Sequence, residues 1–142
     1  MRDSKVDCSS EHNPHNPHNP HKANRGLARL WHAAKNSWSG LVFAVREESA
    51  FRQELTLTTC LVPLALLLPF GAVERLMLIG SVLLVLIVEL LNSSIEAAID
   101  RISLEHHGLS KRAKDYGSAA VMLALLICAM VWITLTCRLF AR

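Results

Sequence analysis

Glu89, Asn92, Glu96 and Asp100 follow one another at spacings of three, four and four. Three carboxylates and an amide in that pattern could ligate a hard cation such as Mg²⁺, take a proton from a hydroxyl, or do both. Their setting is apolar, because the thirteen residues before Glu89, LMLIGSVLLVLIV at 76–88, carry no charge. On a helix each residue turns by about 100°, so the four side chains share a sector of roughly 80°. An ionised group at the centre of a membrane helix costs at least about 2.5–3.5 kcal/mol, and three acids on one face also repel one another. The stripe must therefore face protein, water or a cation. A helix interface glued by polar contacts and an ion or proton path are competing readings. Three acids with an amide favour function, since clustered hard oxygens are what Mg²⁺ selects.

Further polar groups flank the stripe. EESAFRQE at 47–54 adds Glu47, Glu48 and Glu54. SKRAKDYGS at 110–118 adds Lys111, Arg112 and Lys114, with Asp115 beside them. The basic run also serves to set membrane topology. Acids for a metal, cations for an anion and an apolar surround together suggest chemistry on a phosphate at a membrane. The sequence has no G-x-x-x-x-G-K-[ST], no Gly-rich kinase loop, no H-R-D and no D-F-G, so ATP would bind here by an unrelated arrangement.

These residues need long helices to position them. The runs 55–73 and 117–137 are free of charge, and 76–95 carries Glu89 alone. Each is near the roughly 20 residues that cross about 30 Å of hydrocarbon. The expected fold is an all-α integral membrane protein with spans at about 54–73, 75–101 and 113–139. Pro63 and Pro69 are tolerated in or near such a span. Before the first span, Leu27, Leu30, Trp31, Ala34, Trp38, Leu41 and Val45 recur at helical spacing, with Arg29, His32, Lys35 and Asn36 on the polar side. That pattern predicts an amphipathic surface helix over about 26–47, lying at the lipid interface. Lys and Arg number eight in the N-terminal arm and four in the second connection, against one at the first hairpin tip and two at the C-terminus. This excess places the N-terminus and the second connection in the cytoplasm.

Residues 1–24 hold HNPHNPHNPH at 12–21 and few large apolar side chains. Proline at every third position blocks a helix, and the composition predicts a disordered tail ahead of a membrane domain at 25–142. Its regularly spaced His residues raise metal binding as the other reading. No secretory signal is expected at the start. The four cysteines, Cys8, Cys60, Cys128 and Cys137, form no C-x-x-C and read as small hydrophobes.

ELLNSSIEAAIDR at 89–101, followed by KRAKDYGSAAV at 111–121, resembles the prokaryotic diacylglycerol kinase family of small integral membrane kinases. AFRQE at 50–54 and NSWSG at 36–40 fit the same pattern, and the likeness runs from about Gly26 to the C-terminus. The resemblance implies a surface helix and three transmembrane helices per chain, and a homotrimeric helical bundle with sites shared between subunits. It implies transfer of the ATP γ-phosphate to the primary hydroxyl of diacylglycerol, with Mg²⁺ as cofactor, at the cytoplasmic face of the cell inner membrane. No nucleic acid partner is expected. Undecaprenol kinase is the alternative within the family, and a channel or scaffold the alternative outside it.

By the same resemblance Glu89 is the general base, and its apolar depth suits a carboxylate that must accept a proton. Glu48 and Glu96 are the Mg²⁺ ligands on the nucleotide. Lys114 holds phosphate, Asp115 helps bind the nucleotide, Asn92 orients the reacting groups and Asp100 supports the site. Arg29 and Asn36 on the surface helix, with Glu105, His106 and His107 in the loop, help fix ATP or lipid. Ser37, Trp38, Gln53, Glu54 and Ser118 border the lipid. His106 stands where the family commonly has an aromatic residue, Gly108 where a larger one is usual, and His32 where a Lys is familiar.

Overall fold

The computed structural model describes residues 27–102 and 107–141, without the side chain of Leu27. The His-rich tail, Glu105 and His106 therefore lie outside the described residues. Among the described residues four helices follow one another: α1 (Leu27–Glu47), α2 (Ser49–Leu67), α3 (Ala72–Ile102) and α4 (Gly108–Phe140). The chain divides into two compact units at Asn36 and Ser37, inside α1. The first unit contributes only the opening turns of α1. All the packing below belongs to the second.

α3 is the central element, packing against both α2 and α4. Its buried residues Leu78, Ser81, Val82, Val85 and Glu89 keep the three-and-four spacing of a single helical face. On the α4 side that face meets small residues, Ala124 and Cys128, and Ser81 Oγ lies 3.7 Å from Cys128 Sγ. Nearer the hairpin, Leu78 packs with Ala65 of α2 and Phe70, while Trp132 touches both clusters. The outer faces stay apolar and uncovered, with Leu83, Ile87, Leu91, Met122, Leu126 and Met130 all exposed. Both α3 and α4 are long and apolar enough to cross a membrane, and most of their apolar windows are not buried by the chain. The core helix of a water-soluble domain would bury them.

α2 departs from the expected span at 54–73. The helix stops at Leu67, and among the described residues it is not one of the helices that are long and apolar enough to cross by composition. Leu68 is extended at φ −72° and ψ 150° because Pro69 follows it, and the residue before a proline is pushed out of helical geometry. At the other end of α2, Arg52, Gln53 and Glu54 occupy the first turns, so the charge-free part is short. Pro63 sits inside α2 without ending it. The hydroxyls of Thr56 and Thr58 donate to the carbonyls four residues back, which keeps both satisfied in an apolar setting.

The turn between α2 and α3 is tied by two side chains. Glu74 Oε2 accepts from the Gly71 backbone N–H at 2.9 Å, half of a capping box for α3. Arg75 reaches back to the end of α2, donating to the carbonyls of Ala65 at 3.2 Å, Phe70 at 3.4 Å and Leu68 at 3.5 Å. These carbonyls have few other partners at a helix end. Arg75→Ala is therefore expected to lower stability in detergent by about 1–2 kcal/mol. Thermal unfolding of the purified variant checks this, with activity per folded molecule unchanged.

Candidate active site

The buried seam of α3 does not end with its apolar residues. Continued by the same spacing, it runs through Glu89 to Asn92, Glu96 and Asp100. Glu89 is only 3% exposed, Asn92 and Glu96 are half-buried, and Asp100 is exposed. The stripe is thus the polar extension of the helix–helix seam. At 1.5 Å per residue α3 is about 46 Å long, well over the roughly 30 Å of a bilayer core. Glu89 lies toward the Ile102 end of α3, and the other three follow it along the helix.

Two contacts organise the stripe. Asn92 Nδ2 donates to Glu96 Oε1 at 3.2 Å. Lys114 of α4 donates to Asp100 Oδ1 at 2.6 Å. Both partners of that ion pair are well exposed, so solvent screens it and it adds little to stability. Lys114 also feels the charge of Glu96.

Other acids converge from α2 and from the junction before it. Glu48 is the one extended residue between α1 and α2, at φ −95° and ψ 113°. Acids at this position often cap the helix, yet its carboxylate makes no capping bond and is left for another partner. Arg52 takes over the junction instead, donating from Nη1 to the Arg46 carbonyl at 2.9 Å. Glu89 lies within electrostatic reach of Glu96 and Glu48, and Glu54 within reach of Glu89. Glu48, Glu54 and Glu96, each within electrostatic reach of Glu89, make a concentration of negative charge that attracts a cation. Glu54 Oε2 and Asn92 Oδ1 are buried without a hydrogen-bond partner, so oxygen lone pairs remain open there.

Hard carboxylate oxygens are the donor set that Mg²⁺ takes, and Mg²⁺ needs only one or two of them when phosphates and waters complete its shell. The residues present fit that ion. Among the described residues, no group of three His, Cys, Asp or Glu side chains forms a protein-only metal cage.

The second half of α1 and α3 enclose a groove of about 730 Å³. Ser37, Gly40 and Ala44 of α1 line it, with Glu47 and Glu48 at its end and Ser93, Ser94 and Ala97 across it on α3. Leu41 of the Trp-bearing stripe also lines the groove, but Trp31 and Trp38 do not. Trp31 and Trp38 are 72% and 69% exposed and lie about a quarter turn or more around the helix from Ser37, Gly40 and Ala44.

The remaining expected residues are dispersed. Trp38, Gln53, Asp115 and Ser118 are exposed and belong to neither the groove lining nor the contacts of the stripe. Arg29 and Asn36 are exposed on the opening turns of α1, in the first unit. His107 caps α4, its Nδ1 accepting from the Leu109 backbone N–H at 3.2 Å. Arg112 points along its own helix to the Tyr116 hydroxyl at 3.3 Å. Glu54, expected to border the lipid, stands within electrostatic reach of Glu89. Gly117, buried against Asn92, was not among the expected site residues. Its only signal was a glycine inside the KRAKDYGSAAV stretch.

Fold and site define an all-helical membrane protein that gathers acids and a lysine at one end of its long helices. Comparison with known proteins gives the family. The description prokaryotic diacylglycerol kinase matches residues 35–136. A diacylglycerol kinase of Pseudomonas aeruginosa is 49% identical over 114 residues, covering 80% of this chain and 93% of that protein. One from Escherichia coli is 50% identical over 107 residues, covering 75% and 88%. One from Helicobacter pylori is 42% identical over 108 residues, covering 76% and 84%. The chain belongs to the prokaryotic diacylglycerol kinase family.

Proposed function

We propose that this chain phosphorylates the primary hydroxyl of 1,2-diacylglycerol with ATP, giving phosphatidic acid. The family and the shared name of its relatives support the reaction. The observation that carries the mechanism is the burial of Glu89 at the top of the α3 seam, beside the Asn92–Glu96 pair. A lipid hydroxyl can reach that level from the bilayer, and a nucleotide can reach Glu96 and Lys114 from water.

In this reading Glu89 accepts the proton of the hydroxyl as its oxygen forms the new bond to the γ-phosphorus. The bond from that phosphorus to the β,γ-bridging oxygen breaks, and ADP leaves. Asn92 is held by Glu96 and orients the reacting groups. Lys114 moves from Asp100 to a phosphate oxygen, and Asp115 beside it helps hold the nucleotide. Glu48, with no capping bond to make, and Glu96 would hold Mg²⁺, which would supply positive charge against the phosphates. Arg29, Asn36, Glu105, His106 and His107 contribute to the nucleotide or headgroup side. Ser37, Trp38, Gln53, Glu54 and Ser118 contribute to the lipid side.

The same proposal includes α2 as a third crossing helix, and α1 lying at the interface through its exposed Trp residues. It includes a homotrimer with composite sites, for which the uncovered apolar faces of α3 and α4 leave room. It places the N-terminus and the second connection on the cytoplasmic side of the inner membrane, following the excess of Lys and Arg. Diacylglycerol and undecaprenol, offered separately in mixed micelles, test the substrate. Label in phosphatidic acid is expected. Label mainly in undecaprenyl phosphate would overturn the choice of lipid.

A further inference from the structure

Gly117 of α4 lies against Asn92 of the polar stripe. It is buried, and a Cβ built on it would overlap the Asn92 Oδ1 and stand 3.2 Å from Asn92 Cγ. The Asn92 backbone is not crowded in the same way, since its Cα is 3.8 Å from that position, an ordinary contact. A carboxylate can only accept, so the NH₂ of Asn92 must face Glu96 Oε1, where it donates at 3.2 Å. The carbonyl oxygen is thereby left facing α4, buried and without a hydrogen-bond partner. The space that it occupies is the space a side chain at 117 would take.

We infer that Gly117 is a positioning residue for the reaction: by having no side chain it sets the rotamer of Asn92, and through it the Asn92–Glu96 pair. The inference rests on the reading of this stripe as the kinase centre. The smallest substitution, Gly117→Ala, meets the end of a flexible side chain rather than backbone. The two helices can keep their packing while Asn92 gives way. Alanine is also the better helix former, so the variant should be no less stable than the parent. A glycine needed only for helix packing would show the opposite pattern, with lower stability and an unmoved Asn92.

The test uses full-length protein in detergent micelles, labelled with ¹⁵N at asparagine. The Asn92 side-chain amide resonance is assigned by its absence in Asn92→Ala. In Gly117→Ala that resonance is expected to shift, while thermal unfolding holds or rises. Turnover with Mg–ATP and diacylglycerol is expected to fall by about tenfold to a hundredfold, as for a slightly misplaced reacting group. An unmoved resonance, or a shifted one with full turnover, would overturn the inference. Failure of the parent protein to phosphorylate diacylglycerol would instead remove the kinase reading, and the resonance would still report whether residue 117 sets Asn92.

Discussion

Glu89→Gln is expected to lower turnover by roughly 10²–10⁴-fold, the usual range for loss of a general base. Gln keeps the shape of Glu but cannot take the hydroxyl proton. Folding should not suffer. Glu89 is 3% exposed and lies within reach of three other acids, so neutralising it removes repulsion and a buried charge. Nucleotide affinity should change little, because the ligands assigned to Mg–ATP are Glu48 and Glu96. Steady-state kinetics together with a nucleotide titration separate the two effects. Near-normal turnover in a folded Glu89→Gln protein would show that the base lies elsewhere, and Glu54 would then be the first side chain to examine.

Glu96→Gln should act differently. Gln retains an oxygen at Oε1, so the bond from Asn92 Nδ2 can survive the change. The negative charge is what disappears. Mg–ATP should then bind at least about tenfold more weakly, since even an outer partner of a metal ligand commonly costs that much. Turnover at saturating nucleotide should fall as well, and raised Mg²⁺ should restore part of the loss. A titration of activity against Mg²⁺ at fixed ATP reads this directly. An unchanged Mg²⁺ dependence would leave Glu96 as an orienting partner of Asn92 and nothing more.

Much of the site was legible in the sequence because it lies on one helix. Glu89, Asn92, Glu96 and Asp100 share a face through the helical period alone, and α3 presents them that way. Its apolar approach at 76–88 also told how deep Glu89 would sit. The charge pattern did not reveal which partners belong to different helices. Lys114 meets Asp100 across fourteen residues of sequence, and Glu54 stands near Glu89 from α2. Such pairings depend on packing, to which periodicity is blind. Gly117 matters only because α4 passes so close to Asn92.

Helix ends were the least legible part of the fold. The run 55–73 looks continuous in hydropathy, yet Pro69 forces Leu68 out of the helix and leaves α2 ending at Leu67. His107 caps α4 although histidine is not among the favoured capping residues. Ser37 was expected at the lipid border, but Gly40 and Ala44, which line the groove with it, are small and less conspicuous than the Trp stripe of α1. They make a second face on that helix, and their partner on α3 is not apparent from the sequence of α1.

The central claim is phosphate transfer from ATP to diacylglycerol at the Glu89 stripe. Its most direct test is the purified full-length chain in mixed micelles with Mg²⁺, γ-labelled ATP and diacylglycerol, run beside Glu89→Gln. Label in phosphatidic acid is expected from the parent protein and almost none from the variant. No labelled lipid from a parent protein shown to be folded, or equal label from both, would contradict it.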